Sequence, residues 1–263
     1  MPFLAADGGS LFYERRGSRD GPAVLFLHGL GSSGSDWSLQ LADFETRHRV
    51  ILADLPAHGR SMATGRSLSV DGMAADVAKL LAVLDESPAH VVGLSLGGCV
   101  ALALALDVPA RVRSLTLVNA FARLRPCGAR SLGRMLTRGA LLAVAPMRIV
   151  AAHVARGLFP RPDQRDLYLA AVASLSRTPR RAYAGSVRAL LAFDVVSRLG
   201  AVTQPTLVVA GARDLTVPLA AKEVLANGIP GARLLVLPDS GHATPIDNPV
   251  AFNRAVLEFV AAH

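Results

Sequence analysis

The 263-residue chain is poor in cysteine, lysine and aromatic residues, and each shortage excludes something. Two cysteines, Cys99 and Cys127, supply neither a metal-ligand spacing nor a disulfide framework at this length. No metal and no cofactor is expected, and a reducing cytoplasm is the expected compartment. Aromatics make up 5% of the chain, which leaves the core to Ala, Val and Leu. No apolar run approaches the ~18 unbroken residues of a spanning helix. The best stretches, 91–106 and 139–154, are broken by Ser, Gly, Pro, Arg or His, so no integral membrane span is expected. Residues 1–10 lack the basic start and apolar run of a secretory signal. Charged residues are also scarce, at 18%, and mean hydropathy is +0.38, which excludes an intrinsically disordered chain.

The charge that is present is unevenly placed. Lys and Arg total 28 against 20 acids, for a net charge of +8, and only Lys79 and Lys222 are lysines. Residues 121–200 hold 14 arginines and three acids, Asp163, Asp166 and Asp194, whereas the remainder is slightly acidic. Such a segment serves either as a basic patch for anionic substrates or lipid headgroups, or as a solvated helical surface. It has no interleaved aromatics and no recognition motif, so no nucleic-acid partner is expected.

Short apolar runs alternate with helical spacing over the first 120 residues. Strand-like segments occur at 11–15, 23–27, 49–53, 89–94 and 112–118, with helices at 70–84 and 97–106. This alternation predicts a parallel sheet covered on both faces. From about 121 to 198 the strands stop. Helical stretches at 130–144, 147–157, 163–176 and 180–193 follow one another between prolines. Strands resume at 206–210 and 233–237, and a helix at 249–261 closes the pattern. The expected organisation is a core of 1–120 and 199–263 with a helical lid, 121–198, over the ligand crevice at the sheet's C-terminal edge.

Gly93-Leu94-Ser95-Leu96-Gly97 matches G-x-S-x-G between a predicted strand and a predicted helix, the context of a nucleophile elbow. Glycines flanking Ser95 let strand and helix approach closely around a strained turn. A serine hydroxyl needs a base, and the base needs an acid to hold its tautomer. His242 follows the last predicted strand, and Asp214 follows the strand at 206–210; both fall at the edge that carries Ser95. Asp239 is a rival acid only three residues from His242, and Asn119 occupies another position from which an acid is sometimes drawn. The order Ser95, Asp214, His242 favours Asp214. The loop after 23–27 carries His28-Gly29-Leu30-Gly31, so the backbone N–H groups of Leu30 and Leu96 are the expected oxyanion donors. His28, Gly29 and Trp37 are candidate substrate-binding residues beside that loop. For His28 a loop-bracing ring is preferred, and Trp37 suits the core as well as the site. Cys99 reads as a buried small residue rather than a second nucleophile.

These residues lie within LHGLGSS (27–33), DLPAHGRS (54–61), VVGLSLGG (91–98), GARDLTVP (211–218) and PDSGHATPIDNP (238–249). Together the motifs resemble the α/β-hydrolase superfamily, in its serine-nucleophile branch with a helical cap, and particularly small carboxylesterases and enol-lactonases. The resemblance implies an α/β fold with a mostly parallel sheet of about eight strands flanked by helices, and a cap inserted after the sixth strand. It also implies bracing roles for Asp54, His58, Ser61 and Asp247; Ala57 stands where relatives mostly carry glycine. The expected activity is hydrolysis of a small-molecule carboxylic ester, with lactones a close variant, through an acyl-enzyme. The alternatives are a C–C bond hydrolase, disfavoured by Ala243 after the base, and a non-turnover receptor that retains the triad. Peptidase and thioesterase chemistry have no distinguishing motif. The cap residues Leu141, Leu142, Met147, Ile149, Leu158 and Phe159 suit either a pocket wall or the cap–body packing. Monomer and homodimer are both open.

Overall fold

The apolar runs become the strands of one eight-stranded sheet in the computed structural model, which describes residues 2–6, 9–18, 20–63, 67–126 and 128–263. The strands are β1 (Phe3–Ala6), β2 (Gly9–Gly17), β3 (Ala23–Leu27), β4 (Arg49–Ala53), β5 (Ala89–Leu94), β6 (Val112–Val118), β7 (Thr206–Gly211) and β8 (Arg233–Leu237). Their spatial order is β1-β2-β4-β3-β5-β6-β7-β8. β1 and β2 join antiparallel, and β4 through β8 are mutually parallel. Cys127 lies outside the described residues.

Period-two alternation divides the central strands between two cores. Leu25 and Leu27 face helices α2 (Val70–Leu84) and α3 (Leu96–Asp107), while Val24 and Phe26 face Trp37, Phe44 and Phe252. The second face is covered by α1 (Ser38–Phe44) and α10 (Pro249–Ala261). Burial on both faces is why β3 and β5 read as unbroken apolar runs.

Between β6 and β7 the chain forms α4 (Ala129–Val144), α5 (Met147–Leu158), α6 (Arg165–Arg177) and α7 (Arg180–Ala192). These four helices have a small core of their own around Val150, Ala151, Leu175 and Tyr183. Arg180 reaches back to the carbonyls of Leu142 (2.8 Å), Ala143 (3.1 Å) and Ala145, closing the C-terminal turn of α4. After β7 come α8 (Leu219–Gly228) and, beyond β8, the short α9 (Thr244–Asp247). Among the described residues no helix is long and apolar enough to cross a membrane.

The topology fixes where a ligand can sit. From β3 the chain moves outward to β4, then returns to β5 on the other side of β3. Ligands bind at such a switch point, outside the carboxyl ends of the parallel strands. Leu27 and Gly93 are register partners, so the loops leaving β3 and β5 start side by side.

Candidate active site

Ser95 joins β5 to α3 with φ 53° and ψ −109°, a conformation that costs an L-residue about 1–3 kcal/mol. The turn is that tight because its glycines permit it. A Cβ on Gly93 would strike the backbone of Gly97, and one on Gly97 would strike the carbonyls of Leu27 and His28. The Ser95 N–H donates to the Val118 carbonyl (2.9 Å), tying the elbow to β6. Among the described residues, neither the Leu96 N–H nor the Leu30 N–H has a protein acceptor.

His242 Nδ1 lies 2.9 Å from Asp214 Oδ2, and both side chains are buried. Asp214 is fully engaged. Its Oδ1 accepts from the N–H groups of Thr216 (2.7 Å) and Val217 (3.0 Å). Its Oδ2 also accepts from Lys222 Nζ (2.7 Å), which donates to the Val217 carbonyl at 2.5 Å as well. Burial acts to raise the Asp214 carboxyl, but His242 and Lys222 together outweigh it and hold the group at about 2. Lys222 has no solvent exposure; burial pushes its ammonium below the usual lysine range, opposed by the Asp214 charge. The rival acid Asp239 is 70% exposed and paired with Arg213 (2.7 Å), so it does not orient His242.

Ser95, His242, Gly29 and Leu30 line one cavity of about 560 Å³, roofed by α4 to α7. Leu142, Leu158 and Phe159 face the cavity, Leu141 and Met147 pack into the small core shared by α4 to α7, and Ile149 is exposed. The roof is fastened to the loop after β3: Thr178 Oγ1 donates to the Gly31 carbonyl (3.0 Å), and Leu175 and Tyr183 pack beside Gly31.

Two of the candidate substrate-binding residues, Trp37 and His28, lie outside the cavity lining. Trp37 is 1% exposed and stacks among Phe26 and Phe252 in the core, away from the cavity. His28 is fully buried and braces the loop. Its Nε2 accepts from the Leu55 N–H (2.9 Å), so Nδ1 carries the proton and donates to the Gly29 carbonyl (2.7 Å). Burial pushes the ring down to about 4, against the Gly29 hydrogen bond, so it is neutral at pH 7.

The DLPAHGRS segment braces as well. Asp54 accepts from the N–H groups of Gly34 (2.7 Å) and Arg60 (2.7 Å), and Ser61 Oγ donates to the Asp54 carbonyl (2.6 Å). His58 Nδ1 donates to the Pro56 carbonyl (3.0 Å). Ala57 holds φ 64°, a left-handed position that suits glycine better. Asp247 ties down the loop of His242 through Ser240 Oγ (2.6 Å) and the Gly241 N–H (2.7 Å). Cys99 is buried against the Phe121 carbonyl, and burial pushes its thiol up to about 12, so it is inert.

Two residues escape sequence reasoning. Lys222 reads as an ordinary helix-surface lysine. Asn119 attracts notice only as a non-acid, yet it is a central brace. Its Nδ2 donates to the carbonyl of His242 (2.8 Å) and to Thr244 Oγ1 (2.7 Å), and its Oδ1 accepts from the Gly211 N–H (2.9 Å). Its place after β6, beside both loops, is the signal that could have found it.

A family profile described as the alpha/beta hydrolase fold matches residues 22–249. A Variovorax paradoxus protein named "Putative carbamate hydrolase RutD" is 38% identical, with 95% of this chain and 96% of that protein aligned. A hydrolase of Pseudomonas aeruginosa superposes with TM-score 0.89 at 33% identity, over 98% of this chain and 97% of that one. The enol-lactonase of Burkholderia xenovorans gives TM-score 0.90 at 27% identity, over 99% and 100%. With its elbow, its switch-point cavity and this match over most of its length, the chain belongs to the α/β-hydrolase family.

Proposed function

We propose that this protein is a serine hydrolase that cleaves carboxylic esters, lactones included, through an acyl-enzyme on Ser95. The observation that carries the reading is the shared cavity: Ser95 at a strained elbow, and a His242 already hydrogen-bonded to a buried, ionised Asp214. Asp214 occupies Nδ1 of His242, which leaves Nε2 to act as base. Ser95 Oγ attacks the carbonyl carbon and its proton passes to Nε2. The oxyanion rests on the free N–H groups of Leu30 and Leu96; loss of one such donor typically costs about 3–4 kcal/mol. The C–O bond breaks and the alcohol leaves with the proton from Nε2. Water then gives a proton to Nε2 and attacks the acyl group; the acid departs and Ser95 regains its hydrogen.

The same steps cleave a carbamate, and the 38% identity to the RutD relative favours that as a second reading. In both readings, residues 121–198 form a lid over a core of 1–120 and 199–263 and set substrate choice. Rates on a panel of esters, lactones and carbamates, compared as kcat/KM with Ser95→Ala as control, test the proposal. Repeated turnover of esters or lactones that vanishes in Ser95→Ala is expected. Turnover of carbamates alone would shift the assignment to the second reading. A single slow turnover leaving Ser95 modified would make the protein a receptor instead.

A further inference from the structure

The roof of the cavity carries cationic and hydrogen-bonding groups that the hydrolytic steps leave unused. Arg134 and Arg138 of α4 and Arg177 of α6 line the cavity, and among the described residues none has a carboxylate within ion-pair distance. Asp36 is the one acid in the lining; it accepts from Ser32 Oγ, and burial pushes its carboxyl upward. The guanidinium of Arg138 lies 5.1 Å from the ring centroid of Tyr183, which is 1% exposed and also lines the cavity. Arg138 Nε and Tyr183 Oη are both buried without a hydrogen-bond partner.

A buried donor left unsatisfied costs about 1–3 kcal/mol, and more when it is charged. Here two such donors are neighbours just behind the wall of the cavity that holds Ser95: both residues line it, and an anion reaches the two atoms when the Arg138 and Tyr183 side chains turn inward. Together they ask for a group that only accepts hydrogen bonds and carries negative charge. A carboxylate meets both demands, and its single charge is cheaper to bring into a mostly apolar cavity than a phosphate dianion. The site is held in place relative to the reacting end: the Tyr183 ring packs against Gly31, next to Leu30.

We propose that Arg138 and Tyr183 form a carboxylate subsite, and that preferred substrates are esters or lactones bearing a second, free carboxylate. The substrate class rests on the acyl-enzyme reading above; the subsite does not. Arg134 and Arg177, which also line the cavity, add to its positive field, which raises the local concentration of anions.

The test compares p-nitrophenyl monoesters of straight-chain dicarboxylic acids, succinate through suberate, with monocarboxylic esters of matched length. The expected result is a kcat/KM ratio of about tenfold or more for the charged member at one or more lengths. That ratio should fall toward unity in Arg138→Met and by a few-fold in Tyr183→Phe, with the change carried by KM. Preference for the neutral ester at every length, or an unaltered ratio in Arg138→Met, would overturn the subsite. A second arm needs no turnover: calorimetry of the Ser95→Ala protein with the free dicarboxylates and their diamides. Binding of a dicarboxylate but not its diamide, lost in Arg138→Met, supports the subsite even if no ester is cleaved, in which case the acyl-enzyme reading alone fails. Ester cleavage with neither preference nor dicarboxylate binding rejects the subsite and leaves the acyl-enzyme standing.

Discussion

Asp214 is a carboxylate with almost no solvent contact, kept ionised by two neighbours that meet at one of its oxygens. Its folded-state value of about 2 lies below the ordinary 3.8. The stability it contributes is therefore complete above the ordinary value and is lost as pH falls toward 2; the shift is worth about 2 kcal/mol. Lys222 is part of that balance. Lys222→Met leaves the carboxylate buried with one cation fewer, and removing a partner from a buried pair costs about 3–5 kcal/mol. In an Asp214→Asn background the same substitution should cost clearly less. Urea unfolding of the four proteins measures the difference, and strictly additive losses would show that the two groups do not interact. Ser95, Asp214 and His242 are legible as candidates in the sequence because each follows a strand-like run, in a recognised order. Lys222 is not, because only the packing of α8 onto the loop after β7 turns a helix lysine inward.

The elbow is a property of β5, α3 and the glycines between them, and a methyl group can test it. Gly97→Ala places a Cβ against the backbone of Leu27 and His28, which cannot yield as a side-chain tip can. The expected loss is about 3 kcal/mol or more, through strain in the core. Gly133→Ala is the contrasting case. Gly133 lies within α4 with nothing near its would-be Cβ, so alanine should gain up to about 1 kcal/mol. Equal effects in chemical denaturation would mean that the strand and helix approach less closely than described. The helices that escape pattern reading have a physical cause in common. α1 turns Gln40 and Phe44 inward, and α8 turns Lys222 and Leu225 inward, so each apolar stripe is broken by a polar residue satisfied only by tertiary partners. β1 is a four-residue edge strand, too short to show alternation. The fully buried strands and the amphipathic helices α4 to α7 are legible because their periodicity needs no tertiary knowledge.

Across the whole molecule, buried neutral histidines set the acid limit. His28 is held at about 4 and His58 at about 3, in both cases chiefly by burial. Above the ordinary 6.5 both folded and unfolded rings are neutral. Below it the unfolded ring binds a proton that the folded ring refuses, so stability falls as pH drops from about 6.5 toward 4. His28 alone accounts for on the order of 3 kcal/mol. Thermal unfolding should show Tm falling steadily between pH 7 and pH 5, before carboxylates titrate, and falling less in His58→Gln than in the parent. A flat Tm across that window would place these rings in contact with water. The layered α/β class is legible from alternating patterns, but the strand order is not. The outward step from β3 to β4 and the return to β5 are long-range choices, and they bring Leu30 beside Ser95.

The central proposal is that Ser95 Oγ is the attacking nucleophile in a cavity shared with His242. Its most direct measurement is mass spectrometry of the protein after reaction with an aryl dialkyl phosphate, which phosphorylates activated serines. The account predicts one adduct per chain, mapped to the peptide containing Ser95, with ester hydrolysis lost in proportion. Modification at another residue, or unreacted protein alongside full ester hydrolysis in Ser95→Ala, would contradict it.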